Sequence, residues 1–309
     1  MSLAMIKYAA IGIAVLLIAT ECVLRWGAGL GDPPLARLDP STEYELVPSA
    51  TYRRWGNTIA INANGMRAPE HPALPANQDR HLLLIGDSVI YGGHFLDQSE
   101  TISARLGELL GDDPRLAGCT LRVLPMAVSS WGLVNQAAFL KKHGPFGASA
   151  AGIVVSAHDL YDVPGATSDI LPYRTEPSWT AIGDALQAVT ERYLRSSHAT
   201  ADSQSPAVRA QLSLAALDQI ADTLMDQNVR PILIYHPTTM ERSGTIRAAQ
   251  SRFLEWSEAR GIPFLDLGMV QMAENDYRDA IHPTATGAQR IAQTIAPVIG
   301  KSLPRCLDF

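Results

Sequence analysis

Serine becomes a nucleophile only when a neighbouring base accepts its hydroxyl proton, and the chain carries one serine and one histidine in settings that suit this chemistry. Ser88 follows Gly86 and Asp87 directly after the apolar run Leu82, Leu83, Leu84, Ile85. Such a short all-apolar run reads as a parallel strand covered on both faces, and the loops at the carboxyl ends of those strands are where open α/β sheets place reactive groups. Gly86 lets the chain turn without a Cβ in the way, while Asp87 and Ser88 can satisfy free N–H groups at the start of a helix. His282 stands three residues after Asp279 near the C-terminus, so a carboxylate is at hand to hold the imidazole tautomer and stabilise the imidazolium. Each signal alone has a bland alternative. Gly-Asp-Ser also makes a cap or turn, and Asp-x-x-His arises readily in a chain with 8 His.

The elements that must carry these residues alternate regularly. Ile102, Leu106, Leu109 and Leu110 predict a helix over 99–110, residues 120–126 read as the second strand, and 131–143 as a helix closed by Gly144-Pro145. The apolar run 151–157 is the third strand and ends in His158-Asp159. Ser205 and Pro206 open a long helix with Leu212, Ala216, Ile220 and Leu224 on one face. Residues 231–235 are the fourth strand, 247–260 a helix ended by Gly261, and 262–267 the fifth strand. Strand and helix in alternation, with right-handed crossovers, imply an α/β fold: a three-layer α/β/α sandwich with a five-stranded parallel sheet.

Three segments lie outside that pattern. Residues 8–24 are apolar between Lys7 and Arg25, with Glu21 as the one charge, and read as an uncleaved transmembrane helix in a membrane anchor over 1–26. A cleaved signal peptide is the alternative, but no small-x-small site follows the apolar core. Trp26 would anchor at the interface, and Glu21 can pair with Arg25 at i+4. Flanking charge does not set the orientation; an inner-membrane, single-pass protein with its domain in the periplasm or outside the cell is the expectation. Residues 27–56, with Pro33, Pro34, Pro40 and Pro48, read as an extended linker before a domain over 57–309. Within that domain Ile59 and Ile61 run into Asn64-Gly65, a signal for a tight hairpin turn. Residues 160–203 read as an insertion or lid whose Tyr161, Tyr173 and Trp179 either stack on a sugar or pack the loop.

Composition excludes other classes. The formal net charge is -6 and no run of Lys or Arg makes a phosphate-binding stripe, so nucleic acid is not a partner. Cys22, Cys119 and Cys306 have no metal-ligand spacing, and no cofactor or metal is called for. Cys119 and Cys306 could pair in an oxidising compartment, with free thiols as the default.

With Gly-Asp-Ser after the first core strand and DAIHPTATGAQRIA opening the last helix, residues 80–300 resemble the SGNH hydrolases, also called the GDSL esterase/lipase family. The segment from Asn62 to Arg67 is similar to one that precedes the nucleophile strand in membrane-anchored bacterial members, which extends the resemblance back to residue 57. It implies Ser88 as nucleophile, His282 as base and Asp279 as its orienting acid. It also implies an oxyanion hole from the Ser88 N–H, the N–H of Ala127 in place of the family's Gly, and His158 where the family has Asn. Imidazole can donate a hydrogen bond, so His158 is either that donor or a structural residue after the strand. The function implied is a serine ester hydrolase that deacetylates a glycan. The alternatives are an O-acyltransferase with the same site and a catalytically silent glycan-binding or assembly component.

Overall fold

In the computed structural model, which describes residues 2–72, 74–75, 79–164, 173–197, 204–242, 247–270 and 272–306, the N-terminus is a long helix, α1 (Leu3–Cys22), continued by a π-helical turn over Val23–Gly27. Together they make 25 residues long and apolar enough to cross a membrane. At 1.5 Å per residue this is about 37 Å, more than a hydrocarbon core of roughly 30 Å. Residues 2–20 are exposed along their whole length, so this helix is not a core element of the domain.

Two hairpins follow, β1 (Ala36–Asp39) with β2 (Glu43–Leu46) and β3 (Ala50–Arg54) with β4 (Asn57–Ile61). The remainder is β5 (Asp79–Gly86), α2 (Ser88–Tyr91), α3 (Ile102–Gly111), β6 (Thr120–Ala127), α4 (Leu133–His143), β7 (Ala150–Val155), α5 (Ala181–Ser197), α6 (Pro206–Asp226), β8 (Arg230–Tyr235), α7 (Thr239–Arg242), α8 (Ala248–Arg260), β9 (Phe264–Asp266) and α9 (Ala285–Ile299). The five strands β5 to β9 form one parallel sheet in the order β6-β5-β7-β8-β9. Helices α3 and α9 pack together on one face, and α4 packs on α6 on the other. There the Trp256 indole of α8 donates to Asp218 of α6 at 3.0 Å. This is the three-layer α/β/α sandwich that the alternating pattern predicts.

The local signals explain the elements. Residues 81–86 of β5 and all of β7 are buried, as strands covered on both faces require. Ser205 caps α6 with Pro206 in its first turn, and Gly261, at φ 64, ends α8. Helix α9 buries Ala288, Ile291, Ala292, Ile295 and Ile299, a stripe at three- and four-residue spacing.

Residues 27–56 are not an extended linker. Tyr44, Leu46 and Tyr52 are buried in the same core as the sheet. Lys142 of α4 pairs with Asp39 and Glu45 at 2.6 and 2.8 Å. Pro40 marks a turn, in which Asp39 accepts from the N–H groups of Ser41 and Thr42 at 2.9 and 3.1 Å, rather than a flexible spacer. The second hairpin also differs from expectation. Its turn is Trp55-Gly56, at φ 52 and 86, the left-handed pair that two-residue hairpins need. Asn64-Gly65 instead reverses the chain after β4, with Gly65 and Met66 N–H groups bound to the Asn62 carbonyl and side chain at 3.0 Å.

The insertion contains a helix, α5, that the irregular sequence around it concealed. Residues 165–172 and 198–203 of that insertion lie outside the described residues. Cys119 and Cys306 form a disulfide rather than standing as free thiols, with Cα atoms 5.9 Å apart across a separation of 187 residues. The C-terminal tail returns to the start of β6, where the Cys306 N–H binds the Arg115 carbonyl at 3.2 Å.

Candidate active site

Ser88 is the first residue of α2, at the carboxyl end of β5, an interior strand of the sheet flanked by β6 and β7. A Cβ on Gly86 would come within 2.7 Å of the Ile90 side chain, so only glycine lets α2 fold back so tightly on its strand. Asp87 caps the helix by accepting from the Val89 N–H at 2.9 Å. The Ser88 hydroxyl lies 2.8 Å from His282 Nε2. On the other side of the ring, His282 Nδ1 lies 2.9 and 2.8 Å from the two Asp279 oxygens. Burial pushes the Asp279 carboxyl up, but the N–H groups of His282 and Ile281 and the imidazole outweigh it and hold the group below the usual carboxylate range. It is therefore an anion at neutral pH, able to fix the Nδ1–H tautomer that leaves Nε2 free to accept a proton.

The loop that carries Asp279 and His282 is pinned from several sides. Arg278 N–H donates to the His282 carbonyl at 2.9 Å, and the Thr239 N–H to the Ala280 carbonyl at 2.8 Å. His236, just past β8, binds the Ile281 carbonyl through Nε2 at 2.9 Å. This histidine is 1% exposed, and burial pulls its pKa down to about 4. It is a neutral donor with a positioning role. Its place directly after a strand, at the sheet edge where the site forms, was the available signal.

An open cavity of about 290 Å³ faces Ser88 and His282, with Pro34, His94, Phe95, Ser129, Ser130, Tyr173 and Arg278 in its wall. His94 thus stands in the cavity wall. Ala127 is not in this wall; it is buried in β6 opposite Gly86. Ser129 and Ser130, two and three positions later, do line the cavity, and Ser130 has φ 64. That left-handed backbone is rare for a residue with a Cβ and is held by its neighbours. Tyr44 donates to the Ser129 carbonyl at 2.7 Å, and the Ser129 N–H donates to the Tyr173 hydroxyl at 3.3 Å. The first hairpin, expected to be linker, therefore supports the site.

His158 is turned to Asp87, with Nε2 2.7 Å from its carboxylate, and does not line the cavity. Burial opposes a charge on the ring, but Asp159, Asp87 and Asp162 around it push its pKa up to about 10. The ion pair braces the turn that presents Ser88. Asp87, His158 and Asp159 bring ligand atoms within 4.8 Å of one another. Those atoms already serve the His158–Asp87 bond and the Ser156 N–H, which donates to Asp159 at 2.7 Å.

Of Tyr161, Tyr173 and Trp179, Tyr173 is the one that lines the cavity. Tyr161 lies under the Arg209 guanidinium, and Trp179 is 99% exposed beside the end of α1. Arg67 is structural, as its place in the hairpin segment suggests. It is 2% exposed and donates to the carbonyls of Thr58, Tyr91, Gly93 and Leu96, which fixes the loop behind the cavity wall.

No family model matches the chain, and no curated protein matches it. Among solved structures, TesA is similar at 16% identity over 72% of this chain and 99% of that one, with a TM-score of 0.48. The acetyl xylan esterase AlAXEase is similar at 13% identity, over 71% and 99%, with a TM-score of 0.45. A GDSL-like lipase from Bacteroides thetaiotaomicron is similar at 13% identity, over 75% and 93%, with a TM-score of 0.44. The likeness is to the path of the chain, and the chemistry rests on the side chains around Ser88.

Proposed function

We propose that the protein is a serine ester hydrolase that works through an acyl-enzyme at Ser88. The observation that carries this reading is the continuous relay from Ser88 Oγ through His282 to Asp279, with both links at 2.8 Å. His282 Nε2 takes the hydroxyl proton as Oγ attacks the ester carbonyl, and the imidazolium, steadied by Asp279, returns that proton to the leaving alcohol. Water, activated by the same imidazole, then releases the acid. The developing oxyanion would be met by the N–H groups of Ser88 and Ser130, worth about 3 to 4 kcal/mol each. Ser130 replaces Ala127 in this role, and His158 acts through Asp87 rather than on the oxyanion.

The acyl group in this reading is small, with acetyl as the first candidate, and its alcohol partner is a glycan hydroxyl. The cavity is small and open, and its wall mixes Phe95 and Tyr173 with Ser129, Ser130, His94 and Arg278; that suits a short acyl group on a polar partner. Helix α1 anchors the protein in the inner membrane. The Cys119–Cys306 disulfide supports a domain in the periplasm or outside the cell, where disulfides persist.

The test is a fluorophosphonate probe, which should label the full-length protein and not Ser88→Ala, together with hydrolysis of acetyl and octanoyl esters. Unchanged turnover by folded Ser88→Ala would end the hydrolase reading. Absence of labelling and turnover in the wild type would favour the silent component. Transfer of acetyl from a donor to a deacetylated glycan would select the acyltransferase.

A further inference from the structure

The protein has 5 Trp, and three of them are exposed where α1 meets the domain: Trp26 at 78%, Trp55 at 54% and Trp179 at 99%. They belong to distant parts of the chain and are drawn to one place by the backbone. The Trp55 N–H donates to the Ala28 carbonyl at 2.8 Å, and Arg25 donates to the Trp179 carbonyl at 3.2 Å. Glu21, in the last turn of α1, accepts from the N–H groups of Ala181 and Ile182 at 2.7 and 3.0 Å and from Arg25 Nε at 3.0 Å. The carboxylate therefore caps α5 with groups from α1. One turn further, buried Asp184 accepts from the Gly31 N–H at 2.7 Å and pairs with Arg54 and Arg174. These bonds tie the end of α1 to the domain at several points.

Helix α5 leaves that junction with Leu186 and Val189, three residues apart on one face, 65% and 69% exposed. Large apolar side chains gathered in water at one site mark a surface that meets something else. Tryptophan collects at the boundary between headgroups and acyl chains, and helices with one apolar face lie in that plane. Arg53, exposed beside Trp55, adds a cation suited to anionic headgroups.

We propose that Trp26, Trp55, Trp179 and the Leu186–Val189 face of α5 form a bilayer-docking surface that seats the catalytic domain on the membrane. The proposal rests on α1 being a membrane span. It changes what Ser88 can reach. Pro34 is in the cavity wall, only a few residues beyond the end of the helix at Gly27, so docking holds the mouth of the site close to the bilayer surface. The esters within reach are those displayed at that surface, not those at the end of a long tether.

The experiment uses the full-length protein in vesicles of phosphatidylcholine and phosphatidylglycerol, with lipid brominated near the headgroup end of its acyl chain as a quencher of tryptophan fluorescence. Quenching should fall in Trp55→Phe and again in Trp179→Phe. The pair Leu186→Glu with Val189→Glu should cut the Trp179 share by about twofold or more, because charges leave the acyl boundary, with hydrolysis of soluble acetyl ester unchanged. Quenching that disappears in Trp26→Phe alone, with Trp55 and Trp179 unquenched, would mean an anchored but undocked domain and overturn the proposal while leaving the anchor intact. Release of the wild-type protein from vesicles by alkaline carbonate would overturn the anchor, and the docking with it.

Discussion

Removing one hydroxyl from Tyr44 probes the support of the proposed oxyanion loop at a distance from the reacting atoms. Tyr44 donates to the Ser129 carbonyl at 2.7 Å, the Ser129 N–H is held by Tyr173, and Ser130 next to them sits at φ 64. Holding a residue with a Cβ in that region costs about 1 to 2 kcal/mol. A hydrogen bond of this kind contributes about 0.5 to 1.5 kcal/mol. The two are of similar size, so Tyr44→Phe should let Ser130 relax out of the left-handed region in a large share of molecules and carry its N–H away from the oxyanion. A shift of about 1 to 1.4 kcal/mol corresponds to a fall in kcat of roughly five- to tenfold, with KM little altered. Glycine populates the left-handed region without steric cost, so Ser130→Gly added to Tyr44→Phe should restore at least half of the lost rate. Steady-state hydrolysis of a soluble acetyl ester, with thermal melts to confirm folding, measures both. An unchanged kcat in Tyr44→Phe, or no recovery in the double variant, would refute the proposed role of this loop.

Asp279→Asn should lower kcat by about a thousandfold or more, because an amide facing Nδ1 favours the wrong imidazole tautomer; a loss under tenfold would count against the relay. Arg67→Ala leaves several carbonyls of the loop behind the cavity without their donor, and should cost about 3 kcal/mol or more in urea denaturation. His236 is neutral and buried in the folded state with its pKa lowered to about 4, against about 6.5 when unfolded. Its share of stability is therefore fully present above about pH 6.5 and is lost as pH falls towards 4, by about 3 kcal/mol; the loss between pH 7 and 4.5 should be smaller in His236→Gln, and an equal loss would remove His236 as the cause. His158 has the opposite sign. Its raised pKa of about 10 stabilises the fold fully below about pH 6.5 and is lost as pH climbs towards 10, which a His158→Gln variant should flatten in the same assay.

What the sequence determined by itself is what short-range physics controls. The apolar run before Gly86 dictates a buried strand, Ser205-Pro206 and Gly261 set helix ends, and Asp279 with His282 can meet because three residues of tight loop separate them. Those signals gave the order of strands and helices along the chain and the three side chains that the structure brings into one relay. The wall proposed to hold the oxyanion was not legible in the same way. Ala127 ends its strand buried opposite Gly86, whereas Ser129 and Ser130 line the cavity in a turn held by Tyr44, 85 residues away from the carbonyl it binds. His158 offered a donor by residue type, yet its direction was decided by Asp87, 71 residues earlier, and by two further carboxylates. The prolines of residues 27–56 read as a linker because a four-residue strand is too short to display a period; its Tyr44 and Leu46 become core only when α4 and the sheet are there to cover them. Likewise Glu21 was a lone charge in an apolar helix until α5, 160 residues later, brought it two N–H groups. Burial and hydrogen-bond partners drawn from distant segments are properties of the assembled chain, because side-chain direction and desolvation have no value until the tertiary structure supplies the neighbours.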